Sequence, residues 1–313
     1  MIAILARKLF YACLSLIVLS MLTFVLVRII PGDPFQQEQA LPEEIYHALR
    51  HTYGLDAPIH SQYINYITNL CSLRLGPSLV YHKQDVAEII GHSFPTSALL
   101  GGEALALAIP VGIFLGLWSA FYQHGWQNSL THILAIIGIS VPSFILGTLL
   151  QYFLAVKLQL FPIACWGSFS QTILPAISLG ALPAAFIARI TGANMIEELK
   201  QGYITTARAK GLPEYRIIWR HALKNILIPL LSYIGPLSAH TLTGAFIIEK
   251  IYGIPGLGYW FVNSVSNRDY PLIMGITLFY CTLLLTISLA VDALSLMIDP
   301  RLAKAAKNNR GVV

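Results

Sequence analysis

Six long apolar runs constrain this chain more than any motif in it. They cover about Leu9 to Ile30, Ser97 to Tyr122, Leu130 to Val156, Thr172 to Ile190, Ile226 to Ile248 and Leu272 to Ile298. Each approaches or exceeds the ~20 residues that a helix needs to cross the ~30 Å hydrocarbon core of a bilayer. Backbone amides in that core have no water to bond, so a spanning segment must satisfy them internally. The runs are continuous rather than alternating every second residue, which removes a barrel, and Gly112 and Gly116 supply the small residues on which packed membrane helices rely. The expectation is an all-α polytopic membrane protein with six transmembrane helices.

Composition agrees. Of 313 residues, 56% are hydrophobic and 11% charged, whereas a water-soluble surface needs roughly twice that charged share. The net charge of +5 would raise nucleic acid in a soluble chain. Here the basic residues cluster beside apolar runs, which suits orientation in a membrane, and no nucleic-acid partner is expected.

The first run follows Arg7 and Lys8 as a signal peptide would, yet it continues into Val27-Arg28-Ile29-Ile30-Pro31 with no small-residue cleavage site. It reads as a retained helix. Placing the N-terminus inside puts 13 lysines and arginines in the cytoplasm: Arg7, Lys8, Arg189, Lys200, Arg208, Lys210, Arg216, Arg220, Lys224, Arg301, Lys304, Lys307 and Arg310. Seven face outward: Arg28, Arg50, Arg74, Lys83, Lys157, Lys250 and Arg268. This asymmetry predicts both termini in the cytoplasm.

The chain then divides into an N-terminal transmembrane helix (1–30), an external cap (31–95), a five-helix core (96–299) and a cytoplasmic tail (300–313). In the cap, Pro42 to Tyr53 is helix-like, Gly54-Leu55-Asp56-Ala57-Pro58 is a turn, and Tyr63 and Tyr66 are spaced along a further segment. The internal loop 192–225 is far longer than the two to eight residues that connect neighbouring helices. Glu197 to Gly211 has a helical pattern ending at a glycine suited to a left-handed cap. Pro213 and Glu214 open a second short helix through about Leu223, giving a bent pair. Ala207 and Ala209 beside Gly211 would let another surface approach closely, while Arg208, Lys210, Arg216 and Arg220 could bond its carboxylates or carbonyls. The same basic loop could instead lie on anionic lipid.

The run Thr205-Thr206-Ala207-Arg208-Ala209-Lys210-Gly211-Leu212-Pro213, continuing to Arg220-His221-Ala222-Leu223-Lys224-Asn225, resembles the cytoplasmic "EAA" loop of bacterial ABC importer permeases in its peptide-transporter version. It departs from the general pattern, E-A-A, three residues, G, nine residues, I-x-L-P, at Thr205-Thr206 and at His221 to Lys224. Leu22 to Phe35, Tyr53-Gly54-Leu55-Asp56-Ala57-Pro58, Ile248 to Gly258 with Asn267-Arg268-Asp269-Tyr270, and Ile298-Asp299-Pro300-Arg301 are similar to B-type subunits of oligopeptide permeases. The resemblance implies type I ABC importer permease architecture in a bacterial inner membrane, with this chain as half of a channel for oligopeptides. It implies as partners a second, homologous permease, two cytoplasmic ATPases and an external peptide-binding protein. It also implies that Thr205, Thr206, Ala207, Arg208, Ala209, Lys210, Gly211, Leu212, Pro213 and Glu214 couple to the ATPases. ATP would be hydrolysed by those partners, since the chain has no G-x-x-x-x-G-K-[ST] loop and no cofactor is expected in it.

Other constellations carry less. Gly253, Gly256 and Gly258 follow no strand and read as a tight external turn rather than a phosphate cradle; the resemblance adds a part in closing an outer gate. Glu103 and Asp292 are charges inside apolar runs, either lining the translocation path or pairing between helices. No metal site is expected, since the nine histidines include no H-E-x-x-H pair and the four cysteines no short spacing; Cys71 and Cys165, both outward, could pair or stay free. No enzyme site is apparent. The alternative from another class is a secondary transporter or channel that works without an ATPase.

Overall fold

The computed structural model describes residues 2–29, 35, 42–52, 54–81, 84–243 and 245–298. Ile30, most of the segment that follows it and the tail from Asp299 lie outside the described residues, as does the side chain of Asp292. Four helices are long and apolar enough to cross a membrane: Ala6–Ile29 within α1 (Ile2–Ile29), α4 (Val86–Phe121), α7 (Phe169–Glu198), and Tyr270–Val291 within α13 (Tyr270–Ile298). Two bent pairs raise the number to six if each is one span. Between α1 and α4 lie the short helices α2 (Glu43–Thr52) and α3 (Ile59–Cys71), where the sequence suggests a small cap.

The third apolar run departs from expectation. Instead of one helix it forms α5 (Trp126–Ser140) and α6 (Ser143–Leu150), the latter continuing as a π-helical turn over Gln151–Lys157, and the pair bends by 104°. The cause is Val141-Pro142. Proline's ring disfavours helical backbone in the residue before it, and Val141 is extended at φ −85°, ψ 117°. The fifth run is also divided: α10 (Leu223–Thr243) ends before α11 (Phe246–Tyr252). A turn with Gly253 in the left-handed region (φ +64°) then leads to α12 (Leu257–Ser266), so the glycine cluster forms a tight turn as expected.

Helices in lipid gain little from apolar contact alone, so close packing of small residues holds them together. Helices α4 and α7 show this along their length. A Cβ on Gly116 would lie 2.6 Å from the Ala188 carbonyl oxygen, one on Gly112 2.7 Å from that of Ala184, and one on Gly180 2.8 Å from that of Ala104. Backbone therefore meets backbone at three levels, and the two helices form a stiff pair. A second cluster, including Leu100, Ala104, Leu174 and Tyr252, joins α11 to them. In it the Tyr252 hydroxyl donates to the Gly147 carbonyl at 2.9 Å, tying α11 to α6.

Candidate functional site

The long loop is a structured bend. Helix α7 ends at Glu198, a short turn follows, and α8 runs from Gly202 to Ala209. Its C-terminus is a Schellman motif: the Leu212 N–H bonds the Ala207 carbonyl at 3.3 Å and the Gly211 N–H bonds that of Arg208 at 2.9 Å. Gly211 takes φ +77° to make this geometry. Pro213 is extended (φ −68°, ψ 144°) and caps the short helix α9 (Glu214–Arg216). The sequence suggests that a separate helix ends near Leu223. The chain in fact continues from α9 through a π-helical turn, Ile217–Ala222, into α10 without a break.

What holds the bend is a mixture of apolar anchoring and polar ties. Ile204, Ala207, Ile217, Ile218 and Ala222 bury against Met195 of α7 and Ala120 of α4, with Leu212 packed beside them. Burying an isoleucine side chain contributes roughly 1.5–3 kcal/mol, ample to order a short helix that would be unstable alone. Glu198 accepts from the Tyr203 hydroxyl and from Asn225 Nδ2 at 2.7 Å, and Asn225 also donates to Tyr203 at 3.0 Å. Desolvation, then the bond to Glu198, pushes the Tyr203 phenol up to about 12, so it remains a donor. These three residues clasp the two ends of the bend.

The ten candidate residues from Thr205 to Glu214 are thus brought together, but they do not all face the same way. Thr205, Thr206, Arg208, Ala209, Lys210, Gly211, Pro213 and Glu214 are exposed. Ala207 is 8% exposed and lies in the apolar cluster, so its methyl packs inward rather than offering a surface to a partner. Arg208 is also engaged. Its Nε donates to Glu214 Oε1 at 2.6 Å and its Nη2 to Oε2 at 3.2 Å, a bidentate clamp across the Gly211 turn. The exposed cations Lys210, Arg216 and Arg220 border the bend, and Trp219 is exposed with them. A cleft of about 630 Å³ separates the bend from the α4–α5 turn.

Of the two charges singled out within apolar runs, Glu103 lies in α4 with its Oε2 buried and without a hydrogen-bond partner among the described residues. Asp292 is in α13, and its side chain is outside the described residues. Glu103 and Asp292 are thus not brought into a described pair. Among the described residues no group of three or more His, Cys, Asp or Glu could hold a metal ion. The four cysteines are free thiols.

Two buried carboxylates escaped the sequence reading. Glu249 of α11 accepts from the Gly258 N–H at 2.7 Å, and Ser97 of α4 accepts from the Leu257 N–H at 2.8 Å. Together they cap the N-terminus of α12 from two other helices. Asp269 accepts from Ser78 Oγ and from the Leu79 N–H at 3.2 Å, and precedes α13, tying the segment between α3 and α4 to that helix. Both carboxylates are 0% exposed. An acid within ten residues before a glycine-started helix was the available signal for Glu249; Asp269 sits where a helix cap is expected.

A family model described as binding-protein-dependent transport system inner membrane component matches residues 112–304, and the N-terminal model of the same family matches residues 1–101. The dipeptide transport system permease protein DppB of Lactococcus lactis subsp. cremoris is 40% identical over 301 residues, covering 96% of this chain and 99% of the relative. DppB of Bacillus subtilis is 42% identical over 288 residues, 92% and 94% of the two chains. The oligopeptide transport system permease protein OppB of Salmonella typhimurium is 40% identical over 304 residues, 96% and 99%. The inward-facing MetNI methionine ABC transporter is similar over 67% of this chain and 96% of its own, at 18% identity and a TM-score of 0.49, a likeness too loose to carry any inference.

Proposed function

Because this chain belongs to the binding-protein-dependent transport system inner membrane component family, we propose that it forms half of the translocation path of an ATP-driven peptide importer. In this reading Thr205 to Glu214 are the lever through which separate ATPases move it. The observation that carries the proposal is the bend at Gly211, exposed on one face and fixed on the other into α7 and α10.

A rigid projection converts closure of a partner into helix motion only if it cannot fold back under load. The Schellman turn, the Arg208–Glu214 clamp and the buried isoleucines supply that rigidity here. Displacement of α8 is passed to α7, and α4 follows through the glycine contacts. On the other side the bend leads into α10 through the π-helical turn, a local irregularity of the kind often found at functional positions. Thr205, Thr206, Ala209, Lys210 and Gly211 would meet the ATPase, with Ala207 and Leu212 supporting them from beneath.

The remaining organisation follows from the same premise. A second homologous permease completes the channel, two ATPases bind beneath and hydrolyse ATP, and an external binding protein delivers peptide to the 31–95 cap. The chain sits in a bacterial inner membrane with six spans and both termini inside, and does no catalysis itself. Glu103 and Asp292 are proposed to border the path. A secondary transporter or channel is the competing reading. In proteoliposomes holding the full complex, peptide uptake should require ATP inside the cytoplasmic face; uptake by this chain alone under an ion gradient would overturn the assignment.

A further inference from the structure

A half-buried cation with no carboxylate partner among the described residues lies where α1 meets α3, in a cleft of about 220 Å³ that borders the start of α13. Arg28, in the last turn of α1, stacks its guanidinium 3.5 Å from the centre of the Phe24 ring. Its Nε and Nη2 donate to Gln62 Oε1 at 3.2 and 2.6 Å, and its Nη1 donates to the Phe24 carbonyl at 3.3 Å. Gln62 is held in turn by donating to the Leu55 and Ala57 carbonyls at 3.1 and 2.7 Å. A guanidinium has five N–H donors, so these bonds orient it and leave two unused. Among the described residues its partners are all neutral groups.

The same cleft holds a second unmet donor. Tyr63 and Tyr66 both pack on Phe24, yet the Tyr63 hydroxyl meets Ser20 at 3.1 Å while the Tyr66 oxygen is buried with no partner among the described residues. Burial raises the Tyr66 pKa above that of an ordinary phenol, so the group stays a neutral O–H. A buried O–H that bonds nothing costs on the order of 1–3 kcal/mol. Asn65 and Asn69 line the wall as further amides, and Leu75 and Met274 give it an apolar side.

We propose that this cleft binds a carboxylate group, with the guanidinium of Arg28 as the ionic partner and the hydroxyl of Tyr66 as a second donor. A planar fork beside amide donors suits a planar carboxylate. With one positive charge, the site is poorly matched to a phosphate dianion. The cleft is below the ~300 Å³ typical of sites that engulf a whole small ligand, so it takes an end group, such as the C-terminal residue of a short peptide, and leaves the rest outside.

The test uses the full chain in nanodiscs with its partner subunits and no external binding protein. Saturation-transfer NMR titrations would compare acetate, alanyl-alanine, alanyl-alanine amide and inorganic phosphate. Acetate and alanyl-alanine should bind saturably, and the amide at least tenfold more weakly. Arg28→Gln should lower alanyl-alanine affinity at least tenfold, Arg28→Lys less, and Tyr66→Phe about three- to fivefold. Should Arg28→Gln fail to assemble, Tyr66→Phe keeps the ring in its cluster and carries the test. Absence of saturable acetate binding, equal binding of the amide, preference for phosphate, or unchanged affinity in Tyr66→Phe would each overturn the proposal. The titration needs neither ATP nor transport, so its outcome is separate from that of the coupling assignment.

Discussion

Gly211 and the pair beside it decide the shape of the bend. A left-handed residue with a side chain costs roughly 1–2 kcal/mol, and branching at Cβ adds to that, whereas asparagine visits this region readily. Nothing lies within 4 Å of a Cβ built there, so any effect of substitution comes from the backbone. Gly211→Val should therefore leave insertion intact but sharply reduce ATPase co-purification and peptide uptake, while Gly211→Asn retains most of both. Equal behaviour of the two variants would contradict this. The Arg208–Glu214 clamp is 44% and 48% exposed, and exposed ion pairs contribute about 0–1 kcal/mol. Arg208→Glu should cut uptake without moving the melting temperature appreciably, and adding Glu214→Arg should restore uptake if the clamp serves only to set the bend. Failure of the swap would place Arg208 against the partner. The turn itself was legible in the sequence, since Gly-Leu-Pro after a helical pattern has few other solutions. Which way Ala207 pointed was not, because that depends on the long-range packing of Ile204 and Ile217 against α7.

At the scale of elements, apolar length was readable and continuity was not. Val141-Pro142 sits within a run long enough for one helix, and proline is tolerated in membrane helices when neighbours re-satisfy the backbone. Pattern alone could not tell a mild kink from the 104° bend observed. The π-helical turns are equally silent, as one extra residue per turn leaves hydrophobicity unchanged. The Asp269 tie is not legible in the sequence because its partner is remote: Ser78 is 191 residues away. Asp269→Ala strands the buried Ser78 hydroxyl and Leu79 N–H, at a cost of about 1–3 kcal/mol per group. A clear drop in melting temperature in detergent, with early proteolysis between α3 and α4, is expected. A variant as stable as the parent would show that the tie is dispensable.

For the molecule as a whole, an apolar chain with clustered cations could only be a membrane protein, and the family follows from matches at both ends of the chain. The partners lie outside any single sequence, so the bend's role rests on what touches it. The most direct measurement is photocrosslinking in intact cells from benzoylphenylalanine placed singly at Ala209, Lys210 or Leu199. The exposed positions Ala209 and Lys210 should crosslink to the ATPase, and Leu199, packed in the apolar cluster, should not. Crosslinks from Ala209 and Lys210 to lipid alone, with none to an ATPase, would contradict the account.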